Sequence, residues 1–140
     1  MKARIKWNEN VSFIAESGSG HTIILDGAAE AGGRNLGPRP MELLLMGTAA
    51  CSAFDVLLIL RKGRQHVVDC IAEAEAQRAE TDPKVFTRIH LHFILKGRDL
   101  DVGKIERAIK LSAEKYCSAS AMLAKTAAIT HDFEIVEAGD

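Results

Sequence analysis

A chain of 140 residues with 47% hydrophobic and 26% charged content has the size and composition of one ordinary globular domain. Such a domain buries roughly two thirds of its unfolded-chain surface, so it needs neither a disulfide framework nor a structural metal to stay folded. A net charge of −1, with no basic cluster interleaved with aromatics, excludes a dedicated nucleic-acid binder, and three cysteines are too few for a disulfide scaffold.

The first third reads as strands. In Lys2–Trp7, Ile5 and Trp7 alternate with Lys2, Arg4 and Lys6, a period of two. Val11–Glu16 and His21–Asp26 continue the style, with Gly18-Ser19-Gly20 between them as a hairpin turn. This polar-alternating start is not a signal peptide. Together with free cysteines it predicts a reducing, cytoplasmic home. Gly27–Gly37 is expected to be a flexible loop, and Pro38 and Pro40 mark the entry to a helix.

That helix is expected from Pro40 to Arg64, with Arg61, Lys62 and Arg64 complementing its negative end and Gly63 as its stop. It is apolar nearly all round and so should be buried nearly all round. Leu43–Leu60 carries one charge, Asp55, and reaches the length threshold of a membrane span. A mid-span Asp costs about 2.5–3.5 kcal/mol on insertion, and patterned soluble segments flank it, so a buried core helix is expected and no membrane. One sheet covers only one face of such a helix. A second helix or a partner subunit must cover the rest, and a homodimer is the favoured solution.

Two strands follow. Val68, Cys70, Ala72, Ala74 and Ala76 alternate with charged or polar residues. After a turn at Thr81–Lys84, Val85, Ile89, Leu91, Phe93 and Leu95 share one face, with Arg88, His90, His92 and Lys96 on the other. Asp101 caps a second helix whose inner stripe is Ile105, Ala108, Ile109, Ser112 and Tyr116. A short helix over Cys117–Lys125 and a strand over Ile129–Val136 complete the order βββ-α-ββ-α-α-β. This predicts one α+β domain over residues 1–140, with a mostly antiparallel sheet packed on a long central hydrophobic helix.

The chemistry-bearing residues each have a bland alternative. Cys51 lies in a run of small residues, Gly47–Ala53, where a free thiol is most often a small buried hydrophobe. Asp55, one turn on, raises a thiol's pKa rather than lowering it. Cys117 opens a helical segment, where the positive dipole end favours thiolate; a packed capping position is the even alternative. Cys70 and His131 read as core. His90 and His92 share a strand face at a spacing that holds a metal, but no third ligand is evident, so no metal and no cofactor are expected. No C-x-x-C, phosphate-binding Gly-rich motif or G-x-S-x-G elbow is present.

Two stretches together resemble the OsmC/Ohr family. Arg39–Cys51 (RPMELLLMGTAAC) is similar to the family's Pro-Glu-x-Leu…Cys helix, and Tyr116–Leu123 (YCSASAML) to its second-cysteine motif, Cys-Pro-x-Ser-x-Ala. The wording around Arg39–Gly47 looks most like the OsmC-like branch. The resemblance implies an intertwined homodimer with two active sites at the subunit interface, acting as a thiol-dependent peroxidase on organic hydroperoxides. Cys51 would be the peroxidatic cysteine and Cys117 the resolving one, with an external dithiol as reductant and an Arg held by a Glu activating the first thiolate. Glu42 and Arg39 are the candidates for that pair, with Arg4 and Arg34 as further choices for the Arg. The chain departs from the pattern at Met41, where the family has the Glu, and at Ser118, where it has the second Pro. The alternative is a non-catalytic dimer of the same fold that binds an apolar small molecule at the subunit interface.

Overall fold

The structure, a computed structural model, describes residues 1–139. They form two compact units, Met1–Leu44 and a second that begins at Leu45.

The first unit is an antiparallel three-stranded sheet, β1 (Ala3–Glu9), β2 (Ser12–Ser17) and β3 (Thr22–Leu25), in the order β1-β2-β3. The register sets Ile5 beside Ala15 and Ile23, and Trp7 beside Phe13 and Leu25. One face is therefore apolar apart from Ser17 at its end, as the period of two predicts. Ile5, Trp7 and Ile23 on that face are exposed. The hairpin turn falls at Gly18–Gly20 as expected, with the Gly20 N–H donating to the Ser17 carbonyl at 3.0 Å.

The segment expected to be a flexible loop is instead built around Asp26. That residue is 1% exposed, and its carboxylate accepts from the backbone N–H groups of Gly27 at 2.8 Å, Arg34 at 3.0 Å and Leu36 at 3.1 Å. These donors hold the carboxyl below its ordinary range. A 3-10 turn at Ala29–Ala31 fills the span. Gly33 and Gly37 are needed here because a Cβ would run into the carbonyls of Gly27 and Ile24. The glycines that suggest flexibility from composition serve close backbone approach.

Helix α1 (Pro40–Lys62) begins at the Pro, as expected. Glu42 caps it, accepting from the Arg39 N–H at 3.0 Å in the manner of the acidic half of a capping box. At the other end the left-handed cap is taken by Arg64, at φ 57°, and not by Gly63. The Gln65 N–H reaches the Leu60 carbonyl at 2.9 Å, closing the helix as a Schellman motif does.

In the second unit, β4 (His66–Arg78), β5 (Phe86–Arg98) and β6 (Ala128–Glu137) form a sheet in that order. β4 and β5 are antiparallel, whereas β6 runs parallel to β5. A parallel pair requires a crossover, supplied by α2 (Val102–Leu111), a π-helical turn (Ser112–Tyr116) and α3 (Ser118–Leu123). Asp101 caps α2, accepting from the Lys104 N–H at 2.9 Å. Val56 and Leu60 of α1, Ile89, Leu91, Phe93 and Leu95 of β5, and Ile105, Ala108 and Ile109 of α2 are buried and make this unit's core. The α+β class and the element order are as read from the sequence, with two small sheets in place of one.

Four expectations shift. Phe86, not Val85, enters the core, because a bulge at Gln77/Arg78 changes the parity of the pairing. Tyr116 is exposed rather than on the inner stripe of α2, because the π turn rotates it off that stripe. Cys70 is only half-buried, since β4 is an edge strand whose inner face is partly covered. Helix α1 is not buried all round: Ser52, Val56 and Leu60 form its buried stripe, while Phe54, Leu57 and Leu58 are exposed.

Candidate active site around Cys51 and Cys117

Helix α1 presents Cys51, Ser52 and Asp55 within one turn. The crossover supplies Ser112 and Cys117 from either end of the π turn. That turn positions Cys117: its N–H donates back to the Ser112 carbonyl at 2.9 Å, five residues away. Cys117 is also the cap of α3, its sulfur accepting from the Ser120 N–H at 3.4 Å.

The geometry brings the two sequence-expected cysteines together. The sulfurs of Cys51 and Cys117 and a carboxylate oxygen of Asp55 all lie within 4.8 Å of one another. Cys117 is 2% exposed, while Cys51 is half-buried and the more reachable of the two. Burial pushes the Cys117 thiol up, against the pull of the Ser120 donors, and the neighbouring Cys51 adds to the rise. The donors at the start of the short helix α3 do not offset that burial. The Ser120 hydroxyl is buried beside this sulfur.

A hydroxyl pair joins the two elements. Ser52 Oγ and Ser112 Oγ are 3.2 Å apart, and Ser112 Oγ also lies within donating distance of Asp55 Oδ2, at 3.3 Å. Both serines are fully buried. Sequence reading places Ser112 on the inner stripe of α2 and leaves its role open; a polar residue at a buried helical position is the signal it offers.

The three arginine candidates all lie in the first unit, and each faces a carboxylate there. Arg4 pairs with Glu16 at 3.4 Å, Arg34 with Glu9 at 3.2 Å and Arg39 with Glu42 at 3.8 Å. Arg39 and Glu42 thus form a mutual pair at the start of α1.

A second polar cluster lies on the outer face of the β4-β5-β6 sheet. His90 Nε2 and His92 Nδ1 approach one oxygen of Asp132 at 2.9 and 2.6 Å, and His90 Nδ1 lies 2.7 Å from Thr130 Oγ1. The third neighbour that sequence reading does not find comes from β6 through its parallel register. The Asp132 carboxylate raises the His92 pKa and is itself lowered by the two imidazoles. His131, on the opposite face, stacks on Phe93 at 6.5 Å, and burial lowers its pKa.

The family model for OsmC-like proteins matches residues 32–132, a span that holds both cysteines and Asp55. The chain belongs to the OsmC-like family. It is 51% identical over 138 residues to Protein YhfA of Escherichia coli K12, covering 99% of this chain and 100% of that one. It is also similar to the crystal structure of a hypothetical protein from Aquifex aeolicus VF5, at 29% identity and a TM-score of 0.86, covering 99% of this chain and 97% of that one. An organic hydroperoxide resistance protein OsmC from Legionella pneumophila shares the fold, at 20% identity and a TM-score of 0.73 over 95% of each chain. The long apolar α1 has the length and hydropathy of a membrane span, and its buried stripe packs into the core of the second unit.

Proposed function

We propose that this protein is a thiol-dependent peroxidase that reduces organic hydroperoxides through a Cys51–Cys117 disulfide cycle. The observation that carries this reading is the approach of the two sulfurs to within 4.8 Å from separate elements. The hydroperoxide-resistance name of the Legionella pneumophila neighbour supports the substrate class.

Cys51, the more accessible sulfur, attacks the terminal peroxide oxygen as a thiolate. An S–O bond forms, the O–O bond breaks, and the alkoxide leaves as the alcohol after taking a proton. Cys51 is then a sulfenic acid. The Cys117 sulfur attacks it, an S–S bond replaces the S–O bond, and water leaves with the Cys117 proton. An external dithiol returns both thiols by exchange and is itself oxidised to a disulfide. Arg39 and Glu42, which pair at the start of α1, are the proposed Arg–Glu pair of the peroxidase reading.

The working form is a cytoplasmic homodimer. Phe54, Leu57 and Leu58 of α1 and Ile5, Trp7 and Ile23 of the first sheet are exposed, and apolar faces of this kind mark interaction surfaces. A second copy of the chain is the proposed cover.

The test is thiol titration of the reduced protein before and after one equivalent of cumene hydroperoxide, with peptide mapping under non-reducing conditions. Loss of two thiols, mapped to Cys51 and Cys117 with Cys70 left free, is the expected result. Retention of all three thiols would overturn the proposal.

A further inference from the structure

Asp55 is the member of the site that the peroxide cycle does not use. It stands one helical turn after Cys51, and its carboxylate is within 4.8 Å of both sulfurs. Toward a cation it is an asset, since three donors converge on one point from two elements.

We propose that the reduced site binds one zinc ion through the thiolates of Cys51 and Cys117 and the carboxylate of Asp55, with the fourth position left to water. The donor set suits a borderline-soft, tetrahedral cation, for which thiolate and carboxylate are ordinary ligands. The size also suits it. Bonds of about 2.3 Å to sulfur and 2.0 Å to oxygen place tetrahedral ligand atoms roughly 3.5 Å apart, a small adjustment from the observed limit of 4.8 Å.

The surroundings orient the ligands as metal sites require. The Ser112 hydroxyl lies 3.3 Å from Asp55 Oδ2, and the Ser120 N–H donates to the Cys117 sulfur at 3.4 Å. The Ser120 hydroxyl is buried beside that sulfur as a second nearby donor. On binding, the cation takes the place of the two thiol protons.

Zinc binding goes beyond the peroxide cycle; its control by peroxide rests on that cycle. Two zinc-bound thiolates, one hydroperoxide and two protons give a disulfide, an alcohol and water. The disulfide cannot serve as a pair of thiolate ligands, so the zinc ion leaves. Bound zinc thus shields the thiols, and oxidation releases it.

The experiment is an anaerobic titration of the reduced, metal-free protein with Co²⁺, followed by displacement with Zn²⁺. One equivalent per chain is expected to give tetrahedral ligand-field bands and a thiolate-to-cobalt charge-transfer band. Cys70→Ser should leave them unchanged, and Asp55→Asn should weaken binding by about tenfold or more. X-ray absorption of the wild-type zinc form should show two sulfur ligands, a readout that needs no variant. Absence of the thiolate band, a sulfur count other than two, or unchanged affinity in a folded Asp55→Asn protein would overturn the proposal. Hydroperoxide oxidation is measured separately on metal-free protein. A thiolate–cobalt band without a peroxide-induced crosslink leaves the zinc site standing and removes its peroxide control, whereas a crosslink without the band removes the zinc site alone.

Discussion

The Cys117 N–H donates to the Ser112 carbonyl at 2.9 Å and so closes a turn one residue wider than an α-helical one. This places the Cys117 sulfur at the site while the Ser112 hydroxyl stays buried between Ser52 and Asp55. Removing that hydroxyl leaves Asp55 and Ser52 without a buried partner. Ser112→Ala is expected to cost about 1–2 kcal/mol. Chemical denaturation should show a lower midpoint with an unchanged slope, and an unchanged midpoint would deny the hydroxyl its bridging role.

The two cysteines should fail differently when replaced. Cys51→Ser removes the attacking atom, so hydroperoxide should leave the remaining thiols titratable and consumption should fall to background. Cys117→Ser keeps the attack but removes the resolving thiol. Cys51 should then accumulate as a sulfenic acid that dimedone traps, read as an adduct mass on the Cys51 peptide. Trapping on Cys117 in the Cys51→Ser protein would reverse the assignment.

The loop between β3 and α1 depends on one carboxylate. Asp26 holds the amides of Gly27, Arg34 and Leu36, and Asp26→Asn replaces an anionic acceptor of three N–H groups by a neutral amide with one oxygen. Hydrogen exchange at Arg34 and Leu36 should rise by about tenfold or more, as loss of charge-assisted bonds implies, and the melting temperature should fall by several degrees. Protection unchanged at both amides would show that the glycine contacts hold the loop without Asp26.

How far the sequence carries this structure follows from the range of each signal. Alternation in Lys2–Trp7 and the α2 stripe at Ile105, Ala108 and Ile109 are local, so these elements are legible, as is the buried face of α2. The π turn is a one-residue change in winding that composition does not mark, and Tyr116 is misplaced as a result. Asp132 reaches His90 and His92 only through the parallel register of β6 on β5, which no local period encodes. Spacing alone does not bring Cys51 beside Cys117 either; the family resemblance supplies that pairing. Asp55 is visible as a neighbour of Cys51, but its approach to a second sulfur is a fact of tertiary structure.

The cluster on the outer sheet face carries a pH signature of definite sign. The folded pKa of His92 is raised above its ordinary 6.5 by Asp132, so its contribution is full below 6.5 and fades as pH rises through the raised value. The folded pKa of Asp132 is lowered from 3.8, so the carboxylate's share is present above 3.8 and fades as pH falls. The stability gap between wild type and Asp132→Asn should therefore be widest between 3.8 and 6.5 and close on the alkaline side. It should be small, as exposed pairs are. His131 acts in the opposite sense: its lowered pKa gives stability that is present above 6.5 and lost as pH falls. Melting temperatures of both proteins across the range test this, and a gap that widens toward alkaline pH would contradict the ion-pair account.

Helix α1 sets the last expectation. Its stripe at Ser52, Val56 and Leu60 is buried, while Phe54, Leu57 and Leu58 face outward. Each of these large side chains is worth roughly 1.5–3 kcal/mol if covered. Covering by a second copy makes the native mass twice that of the chain by light scattering. Phe54→Glu places a charge on the covered face and should weaken self-association by about tenfold to a hundredfold, the equivalent of one lost apolar side chain. An Ile5→Glu change on the exposed face of the first sheet tests whether that face joins the same interface. A native mass equal to one chain at all concentrations would remove the dimer, and a dimer indifferent to Phe54→Glu would place its interface elsewhere.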